Sequence, residues 1–476
     1  MYRVDNQLKI EDFVFPYGKL DVENEWVKLA ALVPWDVAES AYAKQFVNNG
    51  HPAHPARIAL GSLIIKQRLK CSDEWTVRHV SENPYLQFFL GLKEYTSKCP
   101  FGASTMVEFR KRFPPETIAA LLDASAKGKA DDSDDSDDVD DQDNGGTGTN
   151  SGTLIMDATC CPADISFPQD FQLLNEAREK LEQIVDEYCA VCKRKKPRMK
   201  RRTARRDYLN LSKSKKRTAK KLRIGIRKQL QYIRRNIGFI VEIIRNNQIK
   251  VSQKVANLLN TITTLYEQQR YMYEQHTHSV ADRIVSLSQP WVRPIVRGKA
   301  HANTEFGAKL HISMVDGYAR IEHLSFDAYN EATDFFRAVE AYRQEHHCYP
   351  SRILVDKIYR NRETIAWCKE HDIQLTGPAL GRPSKNPEQA RKAKKQEYQD
   401  ICDRNIVEGA FGVSKRCYGL NRIMAHLPET SFCIIGIALL CLNLAKRLRS
   451  LLRALMGCWQ LLIGSLECSE FQWVVE

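Results

Sequence analysis

Apolar positions recur with helical spacing through the first 128 residues. Ala56, Ala59, Leu60, Leu63 and Ile64 fall on one face of a helix. Ser72-Asp73 predicts the cap of the next helix, which stops before Pro84. Thr105 with Glu108 has the form of a capping box, and Pro114-Pro115 ends the helix it opens. The exposed face of that helix is expected to carry Arg110, Lys111 and Arg112. A short basic helix after a loop suits a helix-turn-helix entering a DNA groove, and equally an ordinary solvated turn.

Beyond residue 152 the pattern changes. Thr153 to Met156 is a short apolar run ending in Asp157. Phe306, Ala308, Leu310, Ile312 and Met314 alternate with Gly307, Lys309, His311 and Ser313, which predicts a strand. Asp316-Gly317 and a second run, Tyr318 to Phe326, complete a hairpin. A helix over Glu331–Glu345, a strand over Arg352–Val355 ending in Asp356 and a helix over Asn361–Glu370 follow. A strand over Ile373–Leu375 and a helix over Asp400–Cys417 complete the order. Helices then pack on a mixed α/β sheet.

Residues 172–289 interrupt this series as a helical insertion. Leu173, Ala177, Leu181, Ile184 and Tyr188 share a face. Leu222, Ile226, Leu230, Ile233, Ile237, Ile240 and Ile244 step by threes and fours, close to a coiled-coil seam. Val255, Leu258, Ile262 and Leu265 continue the theme, so a helical hairpin or small bundle is expected.

Charge sharpens the picture. The chain has 476 residues and a net charge of +13, although nine Asp crowd between Asp131 and Asp143. That run and the Gly/Thr/Asn/Ser-rich stretch after it read as a solvated linker over 129–152. Between Lys193 and Arg223, 17 of 31 residues are Lys or Arg against one acid, Asp207. Lys195, Lys196, Arg198, Lys200, Arg201, Arg202, Arg205 and Arg206 are the candidate phosphate contacts, the alternative being a solubilising loop. A basic chain of this size points to nucleic acid, and 43% hydrophobic residues exclude a mostly disordered one. Fourteen Cys without a regular framework and a polar opening segment set the expectation of a cytoplasmic location. The most apolar run, Phe432 to Ala445, is closed by Lys446, Arg447 and Arg449 and is too short to span a bilayer, so no membrane partner is expected.

Three acids stand out. Asp157 and Asp356 each end an apolar strand, at the rim of a sheet where ligands bind. Glu408 lies on a helix with Arg404 four residues before and Lys415 seven after, near one face. Three carboxylates drawn together repel, and a hard divalent cation would relieve them. Two such ions suit phosphoryl transfer. The plainer alternative for each Asp is a turn or cap, and for Arg404 and Lys415 a pairing with Glu408 along the helix.

Four stretches carry a resemblance: IMDATCCPADISFPQDFQLLNEARE, RPIVRGKAHANTEFGAKL, ILVDKIYRNRE and RNIVEGAFGVSKRCYGLNRI, in this order. They resemble bacterial insertion-sequence transposases of the DDE class, over most of residues 1–450. The resemblance implies an RNase H-like catalytic domain over 153–171 and 290–450. It also implies a helical DNA-binding domain over 1–128, leaving 451–476 as a tail. It places the family's metal-binding, catalytic acids on Asp157, Asp356 and Glu408, with Mg2+ or Mn2+, two ions, as cofactor. Arg404 and Lys415 would contact DNA near the cleaved end. The family signature also has a Tyr three residues before the Arg, where this chain has Ile401. The implied partners are double-stranded DNA, at element ends and target, and further copies of the chain in a synaptic dimer or larger assembly. The implied location is the bacterial nucleoid. A metal-dependent nuclease of the same fold and a non-catalytic DNA-binding descendant remain the alternatives.

Other signals carry less. Cys189 and Cys192 form a lone Cys-x-x-Cys; a zinc site needs two more ligands, for which Cys160 and Cys161, if the fold brings them near, and His276 and His278 are candidates. His301 and His311 flank the predicted strand as ordinary strand-face residues. Gly298 and Gly307 form no phosphate-cradling loop.

Overall fold

A computed structural model of the chain describes residues 14–15, 18–46, 53–127, 150–296, 304–376 and 387–470. The expected linker therefore lies almost wholly outside the described residues, as does His301. The chain divides into two compact units: residues 1–161, 309–324 and 329–476 form the first, 162–308 and 325–328 the second.

The first unit contains a helical part built from α1 (Glu25–Leu32), α2 (Trp35–Ala43), α3 (Ala56–Leu69), α4 (Asp73–Glu82), α5 (Pro84–Phe89), α6 (Thr105–Lys111) and α7 (Pro115–Lys127). Ser72 caps α4 by accepting from Trp75 N, as the sequence predicts. The capping box expected at Thr105 does not form: Ser104 is the cap residue of α6 and its side chain makes no capping bond. The apolar face read on α3 is wider than expected. Arg57, Ser62 and Gln67 are buried along with the aliphatic residues. Arg57 is tolerated there because it donates to the carbonyls of Phe89 at 3.0 Å and Phe88 at 3.1 Å, ends of a neighbouring helix that need donors.

The apolar run near the C-terminus supplies the rest of this core. It belongs to α15 (Pro428–Glu470), whose backbone continues through the expected tail to Glu470. Its segment Pro428–Arg453 is long and apolar enough to cross a membrane, which corrects the shorter reading from the sequence. Its side chains are nevertheless mostly buried, and α15 packs on α1, α3, α6 and α7. Gly436 faces Ile118 of α7 so closely that a Cβ there would collide with the isoleucine. Asn443, fully buried, donates to Ser125 Oγ and Ala319 O and accepts from Ala319 N. A polar side chain is thus satisfied in the core, tying the helix to α7 and to the sheet.

The sheet strands of this unit are β1 (Thr153–Pro162), β3 (Thr304–Val315), β4 (Tyr318–Ser325), β5 (Arg352–Leu354) and β6 (Gln374–Leu375). They lie in the order β3, β1, β5, β6, with β4 paired to β3. β1 and β5 are parallel, Ile155 opposite Leu354; β5 and β6 are parallel, Ile353 opposite Leu375. The hairpin turn uses Asp316 and Gly317 with φ of 46° and 74°, the positive pair that an Asp-Gly turn provides. The helices α12 (Phe335–His346) and α13 (Arg362–Glu370) pack around Leu154, Met156, Ile353 and Val355. Asn361 and Thr364 form a reciprocal cap at the start of α13. The last helix of the sheet region, α14, spans Pro387–Cys417 and starts thirteen residues before the expected Asp400.

The second unit is a bundle of α8 (Asp170–Val191), α9 (Arg201–Ser212), α10 (Ala219–Asn247) and α11 (Gln253–Gln275). Within it, β2 (Arg293–Val296) pairs antiparallel with the first residues of β3. Leu181, Ile184, Val185, Ile233, Ile240, Ile262 and Leu265 form the bundle core. The stripe that α10 buries is rotated from the expected one. Gln229 and Asn236 are inside, whereas Ile226, Ile237 and Ile244 are only partly buried. Asn236 is wholly buried, and neither its Oδ1 nor its Nδ2 has a hydrogen-bond partner among the described residues.

An unpaired buried amide costs roughly 1–3 kcal/mol, so Asn236→Leu is expected to raise the thermal unfolding midpoint. Differential scanning calorimetry of the full chain checks this; a lower midpoint would mean that Asn236 is satisfied in solution. A second expectation concerns the N-terminal helices. Burial tends to raise the Asp73 carboxyl, but hydrogen bonds from Arg110 and Lys66 outweigh it and hold the group below the usual carboxylate range. A depressed folded-state pKa stabilises above the unfolded value of about 3.9 and is lost as pH falls through the folded value. The stability advantage of the parent chain over Asp73→Asn should therefore be constant from neutral pH to about 5 and shrink below about 4. Chemical denaturation across that range reads it.

Candidate active site

The site is organised by β1, β5 and α14. Leu154 and Met156 of β1 point into the core beneath α12, so Asp157 faces the opposite side of the sheet. β1 does not end at Asp157 as the sequence suggests; it continues to Pro162, which puts the carboxylate inside a strand. The parallel β1–β5 pairing ends at Ile155 opposite Leu354, so Asp157 and Asp356 each lie two residues beyond the last paired position. Adjacent strands run about 4.8 Å apart. Asp356 follows β5 and caps a short 3-10 turn, Lys357–Tyr359, its Oδ1 accepting from Lys357 N at 2.7 Å. The capping role anticipated as the plain alternative is thus real, and it leaves Oδ2 available. Asp157 Oδ1 accepts from Ala158 N at 2.7 Å.

α14 is fixed over these strands by one arginine. Arg352 on β5 pairs with Asp400 at 2.5 Å and with Asp403 at 2.7 Å. Val407, Ala410, Phe411 and Ser414 are buried, so the next turns are held by packing. Arg404 then reaches Asp356 at 3.2 Å and Glu408 at 3.6 Å, one guanidinium bridging two carboxylates from distant segments. Lys415 extends from the same helix face to Thr159 Oγ1 at 2.9 Å, two residues beyond Asp157. The carboxylates of Asp356 and Glu408 are more than half exposed, whereas Arg404 is 23% exposed. Ile401, where the signature Tyr is missing, is 50% exposed.

The structure thus brings Asp356, Glu408 and Arg404 together, with Asp157 on the strand that pairs with β5. It does not close the three acids into one cluster: among the described residues no group of three or more His, Cys, Asp or Glu side chains is placed to hold an ion. Electrostatics accounts for the arrangement. Three facing carboxylates repel, and a guanidinium that neutralises two of them is the nearest available counter-charge.

Under the turn that carries Asp356 lies a polar network that the sequence reading missed. Tyr359 is fully buried, and its hydroxyl meets His311 Nε2 at 3.0 Å. His311 Nδ1 lies 3.4 Å from Asp334, which also meets His323 at 3.0 Å and accepts from Arg337 at 3.0 Å. Burial pushes the Tyr359 hydroxyl far above its ordinary value, helped by the nearby carboxylates of Glu331 and Asp157. Burial also lowers His311, against the pull of Asp334. His311 therefore does not flank the strand as a solvent-facing residue; it lies within β3, completely enclosed. Both faces of β3 are covered, so alternation could not separate an inward aliphatic row from an outward polar one.

The basic candidates divide sharply. Arg110 is buried and pairs bidentately with Asp73, at 3.0 and 2.7 Å, which corrects its expected place on an exposed face. Lys111 is exposed and pairs with Glu108, and Arg112 donates to Gln45 O while its guanidinium lies 4.4 Å from the Phe46 ring centroid. In the second unit, Arg201 and Lys196 are tied to Asp186 at 2.6 and 2.8 Å. The Arg201 guanidinium, seconded by Lys196, holds the Asp186 carboxyl down at about 2. Lys195, Arg198, Lys200, Arg202, Arg205 and Arg206 are exposed, the last three at helical spacing on one side of α9.

Two family models match the chain. "Transposase domain (DUF772)" covers residues 16–112, the helices α1 to α6, and "Transposase DDE domain" covers 353–445, including Asp356, Arg404, Glu408 and Lys415. A curated relative in Rhizobium meliloti, "Uncharacterized protein ORF8 in nfe locus", is 30% identical over 155 residues, covering 33% of this chain and 70% of the relative. No solved structure matches the chain. The acid-bearing segments after β5 and on α14 fall inside the DDE match, the N-terminal helices fall inside the other, and the mixed sheet has the order that an RNase H-like fold requires; the chain belongs to the insertion-sequence transposases of the DDE class.

Proposed function

We propose that this transposase cuts DNA at the ends of its element and joins the freed 3′-hydroxyl to target DNA, using Asp157, Asp356 and Glu408 to hold divalent metal. The observation that carries the reading is the Arg404 bridge. Its support is that one guanidinium pairs with both Asp356 and Glu408, and that β1, which bears Asp157, pairs with β5. The donor set is all carboxylate oxygen, which fits Mg2+ or Mn2+. When bound, such ions supply activation of an attacking oxygen and stabilisation of a leaving one.

The chain's own residues do the rest. Asp157 is held by its strand and Asp356 by its capped turn, so neither has to be ordered when substrate arrives. Glu408 sits on a helix already docked through Arg352. Arg404 offers a planar, fixed positive charge that suits bidentate contact with a phosphate once its carboxylate partners are otherwise neutralised. Lys415, held at Thr159, adds a second charge on the Asp157 side. Cleavage and joining are both in-line displacements at phosphorus, so one site serves both.

The N-terminal helices, with Lys111 and Arg112 at their surface, would read the terminal inverted repeats. The exposed cations of α9 and the segment before it would grip backbone, positioning DNA without specifying sequence. Two reactive ends call for a dimer or larger synaptic assembly.

Asp157→Asn should abolish Mg2+-dependent strand cleavage while leaving affinity for end DNA within about twofold, the backbone contacts being untouched. Gel assays of nicking and binding on one substrate measure both, and cleavage retained by the variant would remove Asp157 from the site. Replacing Lys195, Arg198, Lys200, Arg202, Arg205 and Arg206 by Gln should lower the slope of log affinity against log salt by up to about 5, at roughly 0.9 per lost phosphate contact. An unchanged slope would show that this surface does not touch DNA.

A further inference from the structure

The first three turns of α14 are unexplained by the catalytic site. Asp400 is the first buried side chain described on this helix, while Arg391, Lys392, Lys394, Lys395, Gln396, Tyr398 and Gln399 are all exposed. Helices that are polar all round normally bridge solvent or meet a partner. This one is strong in helix-forming residues, so it persists without a core beneath it.

Its exposed side chains are not scattered. Arg391, Lys394, Lys395 and Tyr398 follow the spacing i, i+3, i+4, i+7, the pattern that puts residues on a single face. An amphipathic helix uses that pattern for apolar residues facing a core; here it carries three cations and a tyrosine that is 69% exposed. None of the three cations makes an ion pair among the described residues, in contrast to Arg352 and Arg404 further along the same helix's contacts. Positive charge with an interleaved aromatic ring is the chemistry of a nucleic-acid backbone contact.

We propose that this face is a DNA-gripping arm, contacting phosphates of the duplex that runs away from the cleavage site. The inference rests on the reading of Glu408 as part of that site and extends it. The helix is continuous from Arg391 to Glu408. At 1.5 Å per residue, Lys395 lies about 20 Å from Glu408 along the axis. At 3.4 Å per base pair Lys395 then lies level with phosphates about six base pairs from the scissile one, and Arg391, about 26 Å along, with those about seven to eight away. A rigid rod of this kind fixes how far the flanking duplex can tilt while its phosphate occupies the site.

The test is the full-length triple variant Arg391→Gln, Lys394→Gln, Lys395→Gln, with affinity measured against salt on a duplex taken from the element's own end and on an unrelated duplex. The slope should fall by about 2 to 3 on both, at roughly 0.9 per phosphate contact. A Lys395→Cys protein should cross-link to a thiol-tethered phosphate within about six base pairs of the cleaved bond and not beyond it. An unchanged slope, or cross-links only at greater distance, overturns the arm. If the slope falls while Asp157→Asn still cleaves, the arm stands and the catalytic assignment fails. If the parent chain shows no salt-dependent duplex binding, both fail.

Discussion

The seating of α14 against β5 is the constraint on which the rest of the site depends. Arg352 makes that contact with two acids one turn apart, Asp400 and Asp403, and so fixes both the height and the rotation of the helix. A single pair would leave the helix free to roll; two partners on successive turns do not. Once rotation is set, Arg404, Glu408 and Lys415 must face the strands, because 3.6 residues per turn leaves them no other direction. The strands that carry or precede Asp157 and Asp356 are placed by a different rule, the parallel pairing of β1 with β5 that runs to Ile155 and Leu354. Two independent pieces of backbone geometry thus meet at one place.

What fills that place is decided by charge. Carboxylates from separate segments converge only if a cation accompanies them. In this structure the cation that joins Asp356 to Glu408 is Arg404. A guanidinium is large and planar, so it spaces two acids apart rather than drawing three together. The same side chain that holds the pair is the one best suited to bind phosphate, which makes neutralisation of the acids and release of Arg404 two sides of one exchange.

Much of this was legible in the sequence because it rests on local rules. The Asp316-Gly317 turn, the Ser72 cap, the strand before Asp356 and the bundle helices each follow from residue type and spacing. So did the segments bearing Asp157, Asp356 and Glu408. What the sequence hid depends on partners far away along the chain. Arg110 reads as a surface cation until Asp73 is placed beside it. His311 reads as an outward strand residue until helices cover both sides of the sheet and Tyr359 meets its ring. Arg352 carries no signal of its own, since its two acids, Asp400 and Asp403, lie about fifty residues further along the chain. Asn236 broke an isoleucine seam that spacing alone had assigned to the core, and the true stripe on α10 is rotated towards it.

The cations of this chain therefore form two populations that composition cannot separate. Arg57, Arg110, Arg178 and Arg352 are at least four-fifths covered, and each is spent on carbonyls or carboxylates of the same fold. Such residues stabilise because their partners would otherwise be buried unpaired. The free ones on α9 and at the start of α14 have no such role, and like charges at helical spacing cost the isolated protein a few tenths of a kcal/mol per pair. On the proposed reading, an external polyanion would offset that cost. Counter-ion release from a duplex provides that return, and it grows with the number of phosphates engaged rather than with their sequence. The positive excess of the chain is thus a property of particular faces, and on the proposed reading it marks where nucleic acid would lie.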